Sequence, residues 1–231
     1  MSMSLPLSDY KTFIFDCDGV LLDSNKVKTQ AFYQAALPYG EAAAHDLLKY
    51  HVANGGVSRY KKFDYFLKHI APLYTPVAMD ADIAPLLSVY AQLVQKGLLI
   101  CEVATGLKEL RHKTQKSRWL VVSGGDQKEL HRVFAQRDLL PFFDGGIFGS
   151  PDTKERILAR ELDNRNIQLP ALFLGDSKYD YQAANQAGID FVFISGWSEI
   201  TGYQQWCKDN NLTESKELKS LLMHLQVNCF Y

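Results

Sequence analysis

Residues 13–24 read FIFDCDGVLLDS, a short apolar run that ends against two aspartates one residue apart, Asp16 and Asp18. Side chains alternate along an extended strand, so residues two apart share a face and both carboxylates point the same way beyond the strand's carboxyl end. Carboxylates crowded in this way want a cation. The pair also has a plainer reading, a turn built on Asp18-Gly19, because Asp-Gly is a common turn dipeptide. What separates the two readings lies elsewhere in the chain.

The chain has 231 residues, 47% of them apolar, enough to bury a sizeable core as one domain with an insertion or as two small domains. Lys and Arg number 25 against 26 Asp and Glu, a net charge of −1, which gives no electrostatic basis for a nucleic-acid or anionic-membrane partner. No apolar run approaches the roughly 20 residues that span a bilayer. The opening MSMSLPLSDYK has no basic segment followed by an apolar one. The expectation is a cytoplasmic protein, a monomer or weak homodimer, acting on small molecules. Cys17, Cys101, Cys207 and Cys229 form no CxxC pair, and the histidines form no HxxxH pattern, so free thiols and no zinc are expected. Strand alternation turns Cys17 away from the aspartates, toward the packed face.

Apolar runs at 12–16, 119–123, 171–175 and 191–195 read as buried strands, and helical patterns at 105–116, 126–137, 153–164 and 179–187 lie between them. This alternation implies an α/β fold, a Rossmann-like, mostly parallel sheet flanked by helices on both faces. Ligands in such folds sit beyond the carboxyl ends of the strands. The stretch between the first and second strands is far longer than one crossover helix needs. It holds helical segments at 25–37, 42–51, 60–70 and 83–96, broken at Pro38-Tyr39-Gly40, Asn54-Gly55-Gly56 and between Pro72 and Pro76. Residues 1–22 and 102–231 are therefore expected to form the α/β core domain, and residues 23–101 a small helical bundle inserted over its active edge. Two terminal helices, 199–209 and 214–226, are expected after the last strand, separated by an Asn-rich turn.

Three further short sequences fall at the ends of expected strands. Ser123-Gly124-Gly125-Asp126 offers a hydroxyl and backbone N–H groups to an anion, or is an ordinary N-cap in which Ser123 or Asp126 satisfies the first turn. Lys154, in SPDTKERIL, sits near the start of a helix, where the helix dipole disfavours a cation. It is either a solvated lysine or a functional one. GDSKYDYQAANQAGI places Asp176 at a strand end and Asp180 one helical turn later, so both can turn toward Asp16 unless Asp176 or Ser177 is only the N-cap. Each plain reading stands alone, but none explains why all four signals occupy strand ends in one sheet, in this order.

Together the four sequences resemble the four signature motifs of the haloacid dehalogenase-like hydrolase superfamily. The insertion resembles the helical cap of its phosphoglycolate phosphatase and β-phosphoglucomutase branch. The resemblance implies that Asp16 is the nucleophile that becomes an aspartyl phosphate. It makes Asp18 the acid that protonates the leaving oxygen and the base that then takes a proton from water. It implies Mg2+ held by the side chains of Asp16 and Asp176 and the backbone carbonyl of Asp18, with Asp180 supporting that shell. An all-oxygen donor set suits magnesium independently. Lys154, Ser123 and the N–H groups near Gly19 and Gly124 would neutralise the transferring phosphoryl group. Dehalogenases and phosphonatases of the superfamily lack an aspartate where Asp18 stands, so the resemblance points to phosphoryl transfer.

In the insertion, Gly56-Val57-Ser58-Arg59 resembles a cap segment of β-phosphoglucomutases in which the arginine grips the substrate's non-reacting phosphate, and a guanidinium fork suits such a group. Arg59, Lys61 and Lys62 also fit a solvated basic edge. The mutases have a histidine five residues beyond the position of Asp23, where this chain has Lys28, which also counts as a candidate contact to the phosphate. The expected activity is a magnesium-dependent phosphatase for a small phosphorylated metabolite, a sugar phosphate or a phosphoglycolate-like acid. A β-phosphoglucomutase-like phosphomutase and a non-catalytic binding or regulatory module are the alternatives.

Overall fold

A computed structural model describes residues 5–76 and 81–226; Cys229 lies outside them. Six strands, β1 (Thr12–Phe15), β2 (Arg118–Asp126), β3 (Gly146–Ser150), β4 (Ala171–Gly175), β5 (Asp190–Ile194) and β6 (Thr213–Ser215), form one sheet in the order β3-β2-β1-β4-β5-β6. Every pairing is parallel. β1, β4 and most of β2 and β5 are buried along their length, as expected of parallel strands covered on both faces.

The helices are α1 (Asn25–Ala36), α2 (Glu41–Ala53), α3 (Arg59–Tyr65), α4 (Ala84–Ile100), α5 (Leu107–Lys113), α6 (Gln127–Gln136), α7 (Lys154–Asp163), α8 (Lys178–Gln186), α9 (Tyr203–Asp209) and α10 (Leu218–Gln226). Alternation along the strands sorts the core into two layers. Phe13, Phe15, Trp119 and Val121 pack with Leu107 and Leu110 of α5, Leu130 and Phe134 of α6, and Leu218 and Leu221 of α10. Ile14, Leu120, Phe173 and Phe191 face the other way, onto Ile157 and Leu158 of α7, Ala183 and Ala184 of α8, and Cys207 of α9. Each of these large side chains contributes about 1.5–3 kcal/mol by leaving water. Cys17 is fully buried in the first layer, and burial first of all pushes its thiol well above the usual range.

Two strands were not expected. β3, with sequence GIFGS, has too little apolar sequence between its glycines to read as a strand, and forms one by pairing with β2 at the sheet edge. β6 is three polar residues paired with β5, inside the segment read as turn and helix start. Tertiary pairing sets the strand state where local propensity is weak.

The insertion consists of α1–α4, with α3 prolonged by a π-helical stretch, Phe66–Ile70, and a short 3₁₀ turn, Ala71–Leu73. Its own core gathers the rings of Phe32, Phe63 and Tyr90, with centroids 4.5–5.8 Å apart. The chain leaves and re-enters the sheet domain side by side. Asp23 N–H donates to the Glu102 carbonyl at 3.0 Å, Ala104 N–H to that of Leu21 at 2.9 Å, and Leu22 and Val103 form an antiparallel bridge. Arg137, at the C-cap of α6, closes the end of α4, its guanidinium donating to the carbonyls of Leu98 and Cys101 at 2.8 and 2.6 Å.

Candidate active site

β1 and β4 are neighbours at the centre of the sheet, where the strand order turns from 3-2-1 to 4-5-6, the switch point that opens a crevice at strand carboxyl ends. Asp16 follows β1 directly and Asp176 follows β4. Asp16 N–H donates to the Leu174 carbonyl at 2.9 Å, which ties the two strand ends together. Carboxylate oxygens of Asp16, Asp176 and Asp180 all lie within 4.8 Å of one another, and all three residues are buried.

Lys154 stands in this cluster. It is 1% exposed, and its ammonium donates to Asp16 Oδ1 at 3.0 Å and to Asp180 Oδ1. Burial opposes its charge, but the two carboxylates more than compensate and raise its pKa. Asp16 Oδ1 also accepts from the Cys17 N–H at 2.7 Å. Burial raises the Asp16 carboxyl to about 7, against the pull of Lys154 and with the push of Asp180 and Asp18. Burial likewise raises Asp176 well above the carboxylate range, followed by the charges of Asp16 and Asp180. A divalent cation would relieve this repulsion, and the donors present are all hard oxygens. The residues therefore fit Mg2+.

Asp180 and Ser177 form a capping box at the start of α8: the Ser177 hydroxyl and N–H both donate to Asp180 Oδ2, and Asp180 N–H donates back to Ser177 Oγ. Ser177 is thus the N-cap, and Asp180 is held by it and by Lys154. Asp18 leaves the cluster. Its Oδ1 accepts from Ser24 Oγ and its Oδ2 from Lys28 Nζ, both at 2.5 Å. Burial works against the charge of both partners, yet their pairing lowers the Asp18 pKa and raises that of Lys28.

A family model for haloacid dehalogenase-like hydrolases matches residues 10–188, a span that includes Asp16, Asp18, Ser123, Lys154, Asp176 and Asp180 from the four strand-end sequences. The chain belongs to this family. Among solved structures, a predicted phosphoglycolate phosphatase from Haemophilus somnus 129PT superposes with a TM-score of 0.72 at 16% identity, covering 93% of this chain and 97% of that one. A predicted phosphatase from Clostridium acetobutylicum gives 0.68 at 17% identity, with 94% and 98% covered. CbbY from Rhodobacter sphaeroides, in complex with phosphate, gives 0.66 at 16%, with 94% and 99% covered. At such identities the likeness is one of fold. No curated protein sequence matches the chain. No helix among the described residues is long and apolar enough to cross a membrane.

Haloacid dehalogenase-like hydrolases are thus the frame for the remaining candidates. Gly19 has φ +75°, and a Cβ there would lie 2.1 Å from Asp176 Oδ2, so only glycine lets the loop pass the cluster. Its N–H is already given to the Leu22 carbonyl at 2.9 Å. Gly124 lines a cavity that opens between these strand ends and the insertion. Ser123 is fully buried, its Oγ accepting from Gly125 N–H at 3.0 Å. Asp126, not Ser123, caps α6, accepting from Glu129 N–H at 3.0 Å.

Arg59 lines the cavity from the insertion, but its guanidinium is engaged: Nη1 donates to Glu129 Oε2 at 3.1 Å, and Asp126 Oδ2 lies 3.7 Å from Nη2. The Tyr60 hydroxyl also donates to Asp126, at 2.7 Å. These contacts seat the start of α3 on the start of α6. Beside them the backbone of Gly56 lies so close to Gly124 that a Cβ on Gly124 would be 2.0 Å from the Gly56 carbonyl oxygen.

Sequence reasoning missed several residues of the site. Asn25 donates to Asp176 Oδ2 at 2.7 Å and to the Trp197 carbonyl at 2.9 Å. Ser198 Oγ donates to the Asp176 carbonyl at 2.7 Å. His51, Lys62, Glu129 and Glu199 line the cavity. The local signals were the polar pair Ser24-Asn25 at a helix start, which reads equally well as a cap, and the run of Arg59, Lys61 and Lys62, which reads equally well as a solvated basic edge.

Proposed function

We propose that the protein is a magnesium-dependent phosphatase of small phosphorylated metabolites, acting through an aspartyl phosphate as a monomer or weak homodimer. Residues 23–101 are its cap, and 1–22 with 102–231 its catalytic core. The observation that carries this reading is the buried Asp16–Asp176–Asp180 cluster bridged by Lys154 at the sheet's switch point. Asp16, Asp176 and the Asp18 backbone carbonyl would hold Mg2+, supported by Asp180. The ion would supply positive charge that screens an anionic nucleophile from an anionic phosphate.

Within that reading, Cys17 N–H and Lys154 both bond Asp16 Oδ1, which fixes the carboxylate and leaves Oδ2 to attack phosphorus in line. Ser123, Gly124 and Lys154 would receive charge on the phosphoryl oxygens. With Lys28 beside it, Asp18 is ionised, as the second half-reaction requires when it takes a proton from the hydrolytic water. The first half-reaction needs Asp18 protonated. There Lys28 would turn to the substrate's phosphoryl oxygens, the phosphate-binding role proposed for it, and Asp18, relieved of its ammonium, would take a proton from solvent before passing it to the leaving oxygen. The insertion lies over the crevice, and its closure would exclude bulk water.

The test is phosphate release from a panel of phosphorylated metabolites, with Mg2+ and with a chelator, by the native protein and Asp16→Asn. Turnover that requires both the metal and Asp16 is the expected result. Isomer formation from a sugar phosphate, primed by a bisphosphate and without free phosphate, would establish a mutase instead. No turnover by folded protein would point to a binding module.

A further inference from the structure

Lys28, Arg59 and Lys62 line the cavity between the insertion and the sheet, and they differ in what answers their charge. Lys28 is paired with Asp18 and Arg59 with Glu129. Lys62, on α3, is 1% exposed, yet none of the ion pairs among the described residues includes it. Its ammonium donates to His51 Nδ1 at 2.7 Å and to the His51 carbonyl at 3.3 Å, and lies 5.4 Å from the centroid of Phe32.

When Lys62 is protonated, the ring nitrogen that accepts from it carries no hydrogen, so His51 is then neutral with its proton on Nε2. Burial, with Lys62 and Lys28 beside it, holds its pKa well below the usual value. His51 Nε2 then donates to Thr29 Oγ1 at 3.2 Å, and the Thr29 hydroxyl donates to Glu199 Oε2 at 2.8 Å. The chain of hydrogen bonds runs one way and fixes where the ammonium sits. An ammonium has three donors; two go to His51. A buried cation with no counter-ion is costly, so the free site gives up its proton readily, and an incoming carboxylate would supply both the charge that keeps Lys62 protonated and the missing acceptor.

We infer that Lys62, held in place by His51, Thr29 and Glu199, is the subsite for a carboxylate of the substrate, so that the substrate is a phosphorylated small hydroxy acid rather than a neutral sugar phosphate. The inference rests on the phosphatase reading above. Charge balance selects the carboxylate. A second phosphate, near two charges, would leave one uncompensated in a cavity that already contains Glu129 and Glu199; a hydroxyl would leave Lys62 without a counter-ion. Phe32, Val52 and Ile200 give the cavity apolar wall suited to a short carbon chain. Burial and the neighbouring Lys28 lower the Lys62 pKa to about 7, while Asp18 and Glu199 oppose the shift and Lys154 adds to it. A bound carboxylate would favour the protonated form.

Two pairs of probes isolate the carboxylate: 2-phosphoglycolate against ethyl phosphate, and 3-phosphoglycerate against glycerol 3-phosphate. The native protein should favour the acid in at least one pair. Lys62→Met should lower that preference about 10- to 100-fold, the range for a hydrogen bond to a charged group, chiefly through KM. Calorimetric binding of the same probes to Asp16→Asn, with and without Lys62→Met, reads the subsite without turnover. A protein that releases no phosphate but still binds the acids more tightly, through Lys62, would refute the phosphatase reading and leave the subsite standing. Equal handling of acid and neutral probe by the native protein, or a preference that survives Lys62→Met, would overturn the subsite.

Discussion

Lys154 opens α7, where the helix dipole disfavours a cation, and the structure shows what overrides that local preference. Two carboxylates from other elements, Asp16 after β1 and Asp180 in α8, converge on its ammonium. A buried ion pair need add no net stability, but removing one partner strands the other's charge. Lys154→Met should therefore destabilise the protein by about 3–5 kcal/mol in urea unfolding near neutral pH, without magnesium. An unchanged midpoint would mean that Asp16 and Asp180 are neutral or solvated in the folded state. The conflict at Lys154 was legible in the sequence; its resolution was not, because its partners lie 138 and 26 residues away in a chain whose strand order is set by pairing.

Among the elements, the contact between the loop before α3 and the end of β2 sets how the insertion meets the sheet. Backbone meets backbone there, since a methyl on Gly124 would lie 2.0 Å from the Gly56 carbonyl oxygen. Gly124→Ala must push that loop away. Overpacking of this kind costs about 1–3 kcal/mol, and here the displaced partner belongs to the cavity wall. The expected outcome is a KM raised about tenfold or more and faster amide exchange at residues 54–58. A variant with native KM and native exchange would show that the loop yields without cost. Sequence patterning found α1, α2 and α4 within a few residues of their observed ends. It did not find β3 and β6, whose few apolar or polar residues become strands only beside β2 and β5. Arg59 shows the same limit at a candidate site: its position and charge were readable, its engagement with Glu129 and Asp126 was not.

For the molecule as a whole, the cluster of buried carboxylates should couple metal binding to folding. An ion that binds only the folded chain stabilises it by about 2.7 kcal/mol at a hundredfold excess over Kd. For a chain of this size that is a rise in Tm of about 5–10 °C. Mg2+ should raise Tm by that order in the native protein and much less in Asp176→Asn, and calorimetric scans with and without the ion check it. No shift in the native protein would remove the metal from the proposal. The family and the α/β class were determined by the sequence itself, because strand-end carboxylates and the hydroxyl-glycine segment are local patterns whose order along the chain survives without coordinates. Tertiary structure alone decided which of those carboxylates converge beside Lys154 and which, like Asp18, are drawn to Lys28. It also decided that Lys62 lies buried in the cavity rather than on a solvated basic edge. Burial and charge pairing are properties of what surrounds a side chain, and residues distant in sequence supply those surroundings.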